Sequence, residues 1–543
     1  GWVAMDGLFL DEKRRAEERR RGIWPDKVII DYFDRWVREK PDAPAVIAHR
    51  ADTGGLTAFT YAELDREVTK IAAGLKALGV GHGDIVAYQL PNWWQFLALV
   101  LACTRVGAVN NPLMPIFRHR ELAFMVAHCE AKVLIAPTVF RSFDHGALAR
   151  QLRHEVDTLE HVLLIGGEGE ESFEARCLAE PAPGDGRDCL TGPDDPTQLL
   201  FTSGTTGEPK GVVHTSNTLI GPTLTFIERM RLGETDVVFM PSPLGHQVGY
   251  EYGILVSLLI GAPLILQDVW DPETARDLMV EHGVTYTFAA TPFLADLAHL
   301  PGIEQADLSG FRLFVTSGAP IPPPIVAAAQ NKLKSTVVGG WGMTECGILT
   351  CTELSGYKVL ESDGHPLPGQ EIRVVDENRQ PLPPGVEGTF EFRGAALFIG
   401  YIKRPELYDV DAEGWFDTGD LARIDAEGYV RITGRKKDII IRGGENIPVV
   451  EVENAIYKLE TVLDAAVVAM PDPRLGERAC CFVHLVDGAS LDLDGLKRHL
   501  AAQQLAKAYW PERLEIVEEM PRTATGKIQK FLLRERAKAF ADR

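Results

Sequence analysis

Residues 199–211 run Leu199-Leu200-Phe201-Thr202-Ser203-Gly204-Thr205-Thr206-Gly207-Glu208-Pro209-Lys210-Gly211, an apolar stretch that breaks into hydroxyls, glycines and one lysine. Glycines let such a backbone curl until N–H groups and hydroxyls converge on phosphate oxygens, so the segment reads as a pyrophosphate cradle. It is not a Walker loop, because Lys210 follows Gly207 by three residues and no Gly-Lys-Ser/Thr enters a helix. Kinases and GTPases of that type are disfavoured. An ordinary Gly/Ser/Thr surface loop is the bland alternative, since composition alone is a weak warrant.

With its complete spacing, the segment resembles the signature loop of the adenylate-forming family, which includes acyl-CoA synthetases, peptide-synthetase adenylation domains and luciferases. Four more segments resemble that family in the same order, and together they cover residues 60–533. In Gly339-Gly340-Trp341-Gly342-Met343-Thr344-Glu345, the resemblance puts Trp341 against adenine, with Gly340, Gly342 and Met343 beside the nucleotide. It puts Thr344 and Glu345 near the α-phosphate and Mg2+. A hydroxyl next to a carboxylate suits a hard cation, and an indole stacks on a purine. The family more often has Tyr at the Trp341 position. Ser317-Gly318-Ala319-Pro320 resembles the adenine-side loop.

Gly414-Trp415-Phe416-Asp417-Thr418-Gly419-Asp420 and Gly434-Arg435-Lys436-Lys437-Asp438 resemble the ribose and hinge signatures. Asp420 would accept from both ribose hydroxyls, Arg435 would reach ribose or phosphate, and the chain would turn about Lys437 between half-reactions. Gly443-Gly444 fall where related ligases pass the pantetheine arm of coenzyme A, although Ile447 before Pro448 departs from the commoner aromatic. Pro521-Arg522-Thr523-Ala524-Thr525-Gly526-Lys527-Ile528 resembles the C-terminal catalytic loop, with Lys527 as its mobile lysine. Pro243-Leu244-Gly245-His246-Gln247-Val248-Gly249-Tyr250 resembles the segment that carries a gate and one acyl-pocket wall, which makes His246 the gate candidate. Tyr250 and Trp341 would close that pocket while Gly339-Gly340 leave it room. The run through 267–272 and 290–293 looks most like ligases for short- to medium-chain and cyclohexanecarboxylate-type acids. For most of these residues taken singly, turn chemistry, a buried Trp or a solvated charge is the simpler account.

The elements that must position these residues fall into three textures. From residue 61, helix-periodic segments alternate with short β-branched runs (63–77 then 85–88, 121–129 then 132–135), and the pattern recurs at 161–165, 237–240, 263–266, 285–289 and 313–316. That alternation predicts βαβ units and parallel sheets, with ligands at the strands' carboxyl ends. Residues 364–435 read as short strands with tight turns, an antiparallel barrel or meander. After Arg435 a small α+β unit is expected, with a helix opened by Pro448, strands at 465–470 and 480–486, and helices at 496–505 and 528–537. The fold class is thus α/β, a large domain over 1–436 with a small β-barrel followed by a mobile α+β domain over 437–543.

Length and composition permit this. The 543 residues allow three to four structural units at roughly 150 residues each, and 45% hydrophobic with 24% charged residues is ordinary globular usage. A net charge of −21 argues against nucleic acid, which binds through Lys and Arg, but not against a small anion held locally. The eight cysteines show no CxxC pair, so neither zinc nor a disulfide framework is expected, and a reducing cytoplasm fits. No export signal is visible, and residues 1–4 enter no functional argument. The apolar stretches 96–103 and 252–266 are too short for a bilayer and read as buried helices.

The resemblance implies an AMP-forming carboxylic acid–CoA ligase with ATP, Mg2+ and coenzyme A as cofactors and a small-molecule carboxylic acid as partner. A homo-oligomer is compatible with the sequence. Three rivals stand beside it: the same adenylation with a carrier-protein thiol as acceptor, a luciferase-like oxygenase, and a non-catalytic nucleotide sensor.

Overall fold

Runs that alternate with helices become strands buried on both faces, as parallel pairing requires; every residue of Ile85–Tyr88 and Val133–Pro137 is buried. The computed structural model describes residues 7–8, 10–202, 208–317, 321–442, 445–523 and 526–540, with Glu445 and Asn446 described by backbone alone. Ser203, Gly204, Thr205, Thr206, Gly207, Gly318, Ala319, Pro320, Gly443 and Gly444 lie outside the described residues.

Two large sheets carry the N-terminal part. One has nine strands; its run Leu264–Gln267, Val238–Met240, Tyr286–Phe288, Leu313–Ser317 and Thr336–Met343 is parallel, and Gly347–Cys351 returns antiparallel at one side. The other has seven, parallel from His161–Ile165 to Pro196–Phe201, then antiparallel through Gly211–Thr215 and Gly400–Tyr401. The helix Trp94–Val106 is buried at every position from Gln95 onward, as expected of a segment that is apolar on all sides and enclosed by the core.

Of the barrel and meander alternatives for 364–435, hydrogen bonding gives the meander. Gln370–Val375, Gly388–Gly394, Phe416–Ile424 and Val430–Arg435 pair in that order, and the outer two do not close on each other. Between its second and third strands the chain leaves to add Gly400–Tyr401 to the seven-stranded sheet, which ties the two layers together. Residues 252–266 are not one helix. A π-turn over Tyr250–Leu255 and a helix over Val256–Ile260 end at Gly261, whose φ of 71° is the left-handed stop that frees Leu264–Gln267 to enter a sheet.

The C-terminal sheet orders Glu445–Ile447, Ile440–Arg442, Gly476–Leu485 and Val462–Asp472, with Arg513–Ile516 beside Gly476–Leu485. Helices Val449–Tyr457, Leu493–Ala502 and Lys530–Phe540 accompany it.

Gly364 links the layers: its carbonyl accepts from Val430 N at 2.9 Å, its φ is 89°, and a Cβ there would fall on the Cys351 carbonyl. Gly364→Ala is expected to destabilise by about 1–3 kcal/mol of overpacking, with about 1 kcal/mol more for the left-handed backbone. A lowered urea midpoint in a fluorescence titration is the measurement.

Candidate functional site

The ends of the phosphate-loop segment are closed by the hairpin that carries it. Phe201 pairs with Gly211, Thr202 N donates to Lys210 O at 2.9 Å, and Lys210 N donates to Thr202 Oγ1 at 3.3 Å. Lys210 Nζ stands 4.9 Å from the ring centroid of Tyr401.

Tyr401 leads to the next group. Its hydroxyl donates to Glu345 Oε2 at 2.6 Å, and Phe398 N donates to Glu345 O at 3.0 Å. Glu345 is only 3% exposed, and burial raises its pKa, opposed by the Tyr401 hydrogen bond and by the charges of Lys210 and Lys527. Beside it, half-buried Thr344 presents its carbonyl to His214 Nε2 at 2.8 Å, and His214 Nδ1 meets the Thr218 hydroxyl at 2.8 Å. Burial lowers the His214 pKa to about 4, so the ring is neutral, and because a carbonyl only accepts, Nε2 carries the proton.

Trp341 and Asp420 meet across the sheets: the indole Nε1 donates to Asp420 Oδ2 at 2.9 Å. Trp341 is 7% exposed and edge-on to Phe390 at 4.8 Å, so much of its surface serves the meander core, into which Met343 also packs. Asp420 faces Arg435 across the Phe416–Ile424 and Val430–Arg435 pair, with Arg435 Nε 3.9 Å from Oδ1. Burial raises the Asp420 pKa, while Arg435, Trp341 and Lys527 pull it down. Gly340 and Gly342 sit where the strand Thr336–Met343 turns back; a Cβ at Gly340 would lie 2.6 Å from Thr350 O, and one at Gly342 would strike Gly347 O.

Lys527 comes to these groups from the C-terminal part. Its N donates to Thr523 Oγ1 at 3.1 Å, and its carbonyl accepts from Thr523 N at 2.8 Å. Gly526, at φ 87°, lies so close to the N-terminal part that a Cβ would sit 2.9 Å from Ala290 Cβ. The Lys527 residue is exposed, while the groups around its ammonium disfavour the charge. Desolvation lowers its pKa, Arg435 adds to this, and Asp420 and Glu345 oppose it. His246 caps a short turn, its Nδ1 accepting from Val248 N at 3.3 Å, and its pKa is lowered to about 3 by burial and then by Lys527. Lys437 lies in the turn Lys436–Asp438, whose neighbours are tied by Lys436–Asp417 at 2.8 Å and Asp438–Arg534 at 2.7 Å; burial and Arg435 lower its pKa.

The structure thus gathers Lys210, Glu345, Trp341, Asp420, Arg435, His246 and Lys527. It does not put Tyr250 with them as a free wall, for that ring is 2% exposed and edge-on to Phe96 at 6.4 Å in the main core. Tyr401 and His214 carry little sequence signal: Gly400-Tyr401 has no local motif character, and the one cue to His214 is its place just after the phosphate loop. A separate cleft of about 590 Å3, between Arg150, Arg153 and Glu168 to Glu171, lies apart from the site, and its Arg150 is paired with Glu171 at 2.9 Å.

Two family models match the chain: AMP-binding enzyme over residues 33–402 and AMP-binding enzyme C-terminal domain over 451–527. The chain belongs to the AMP-binding enzyme family. It is 37% identical to a medium-chain fatty-acid–CoA ligase of Escherichia coli K12, over 97% of this chain and 93% of that one. It is 34% identical to a salicylyl-CoA synthase / salicylate adenylyltransferase of a Streptomyces species, over 98% of both. The ATP-bound crystal structure of MatB from Rhodopseudomonas palustris matches with a TM-score of 0.83 at 30% identity, covering 95% of this chain and all of that one. The protein is accordingly an acid–thiol ligase of the AMP-forming kind, with ATP and CoA as its co-substrates.

Because His214 titrates near 4 when folded and about 6.5 when unfolded, the stability it contributes is complete above pH 6.5 and is lost as pH falls from 6.5 toward 4. The slope is at most about 1.4 kcal/mol per pH unit. In urea titrations across that window, His214→Gln, which keeps a donor for Thr344 O, should show a shallower fall in stability than the wild type, by one proton.

Proposed function

We propose that the enzyme activates a compact carboxylic acid, of medium-chain or alicyclic type, as its acyl-adenylate and passes the acyl group to CoA. The observation that carries this reading is the convergence of Lys527 with Glu345, Asp420 and Arg435, a buried and a half-buried carboxylate among cations.

The substrate carboxylate attacks the α-phosphorus of ATP and pyrophosphate leaves. Two anions approach one another, so the site must supply positive charge; no general base is required, because the carboxylate is already ionised. Lys527 and Lys210 supply that charge. Asp420, aligned by Trp341 and Arg435, accepts from the ribose hydroxyls. Among the described residues no three His, Cys, Asp or Glu side chains group to hold a resident metal. A single carboxylate, Glu345, with one oxygen engaged by Tyr401, fits an Mg2+ that arrives on the phosphates, since that ion keeps water and phosphate ligands and takes one or two carboxylates. When bound, it supplies charge to the leaving pyrophosphate. The C-terminal part then turns about Lys437, withdrawing Lys527, and the CoA thiolate, arriving past Gly443-Gly444, attacks the acyl carbonyl; the acyl C–O bond to phosphate breaks and AMP leaves. His246, neutral at working pH, stands at the acyl end as a gate.

The medium-chain ligase among the relatives supports the compact-acid reading, while the salicylate enzyme makes aromatic acids its competitor. In a pyrophosphate-release screen, kcat/KM is expected to be higher for octanoate or cyclohexanecarboxylate than for palmitate or salicylate; a preference for either of the latter two overturns the assignment.

Lys527→Ala should lower pyrophosphate release by about 10²–10³. Thioester formation from synthetic acyl-adenylate and CoA should stay near the wild-type rate, because the lysine has left by then. Lys527→Arg should recover little, as a planar fork does not replace a compact ammonium. An unchanged first assay would remove Lys527 from the mechanism.

A further inference from the structure

The turn between Gly394 and Gly400 leaves the meander and reaches the seven-stranded sheet, and four of its carbonyls are held by side chains. The helix Glu12–Arg21 supplies most of them, with Asp11 accepting from Arg14 N at 2.8 Å as its cap. The Arg14 guanidinium donates to Phe398 O and to Gly394 O, each at 3.4 Å, and also to Leu397 O. Trp24, just beyond the helix and 3% exposed, donates from Nε1 to Ala395 O at 3.0 Å, and the Arg14 guanidinium lies 5.2 Å from its ring centroid. Tyr408 adds a hydroxyl to Phe398 O at 2.7 Å.

What this turn delivers is Glu345. Phe398 N holds the Glu345 carbonyl, and Tyr401, three residues on, holds its carboxylate. Arg14 therefore holds the carbonyl of the residue whose N–H donates to the Glu345 carbonyl, three residues before Tyr401.

We infer that Arg14 is a positioning residue for Glu345, clamping the 394–398 turn so that Tyr401 presents that carboxylate to the metal–nucleotide substrate. A guanidinium suits this work: its donors lie in a fixed plane and can serve three carbonyls, where an ammonium is a point charge. The inference rests on the reading of Glu345 as the carboxylate for the ion carried by ATP.

The test uses the full chain and measures binding of Mn2+ with ATP, without acid, by electron paramagnetic resonance. It adds the thioester half-reaction from supplied acyl-adenylate. Arg14→Met keeps a long stem over Trp24 and removes every donor; it should weaken Mn2+·ATP binding about tenfold, the low end of what outer partners of metal ligands contribute, while the thioester half-reaction is retained. Arg14→Lys should recover only part of the binding. Wild-type Mn2+·ATP affinity in Arg14→Met overturns the inference, as does a loss of the thioester half-reaction as large as the loss of affinity, which marks a strap that merely holds the fold. Should Arg14→Met fail to fold, Arg14→Gln is read by the same criteria. Glu345→Gln is measured alongside. If it leaves Mn2+·ATP affinity unchanged, the reading of Glu345 itself falls and takes the inference with it; if it weakens binding and the Arg14 variants do not, only the Arg14 inference falls.

Discussion

A carboxylate at 3% exposure is the constraint on which the rest of this site depends. Taking an ionised carboxyl from water into protein costs several kcal/mol unless donors and cations offset it. Glu345 receives the Tyr401 hydroxyl on one oxygen and lies within the field of Lys210 and Lys527, and desolvation still outweighs them in raising its pKa. A carboxylate whose charge burial disfavours gains from any further cation brought near it. In the proposed reaction, that is the electrostatic condition for taking up a hard ion together with its phosphates.

The same imbalance recurs at half-buried Asp420, where desolvation raises the pKa against Arg435 and the Trp341 hydrogen bond. Lys527 shows the inverse: desolvation and Arg435 disfavour its charge, and the two carboxylates favour it. Each group is thus partly compensated by another that comes from a different layer. Glu345 follows a strand end of the nine-stranded sheet, Tyr401 belongs to the seven-stranded sheet, Asp420 and Arg435 to the meander, and Lys527 to the C-terminal part. Movement of the C-terminal part would withdraw one cation from two carboxylates at once. A ligase that must bind ATP in one step and release AMP in the next can use that coupling.

Glycines permit the closest approaches of backbone near the site. At Gly340 and Gly342 the returning strand passes too close for a Cβ, and at Gly526 the lysine loop rests against Ala290. These are contacts of backbone on backbone or on a methyl, and they leave little room for error in the placement of Trp341, Thr344 and Lys527.

Much of this was legible in the amino-acid order. The hairpin around Thr202 and Lys210, the Trp341 to Glu345 run, the Asp420 and Arg435 strands and the Lys527 loop are contiguous segments, and short-range spacing governs turns, strand starts and glycine geometry. The alternation of helices and buried strands followed for the same reason, while the stretch 252–266 misled because an apolar run carries no period that separates helix from strand. Tyr401 reaches Glu345 across 56 residues, His214 reaches Thr344 across 130, and Arg14 reaches Leu397 across 383. No local pattern encodes such pairs. The sequence by itself determined which chemical groups exist and which short backbone shapes carry them. Tertiary structure alone decided which are buried, which donor each carboxylate receives and how far each pKa moves, because desolvation depends on all the chain packed around a group and not on its neighbours in sequence.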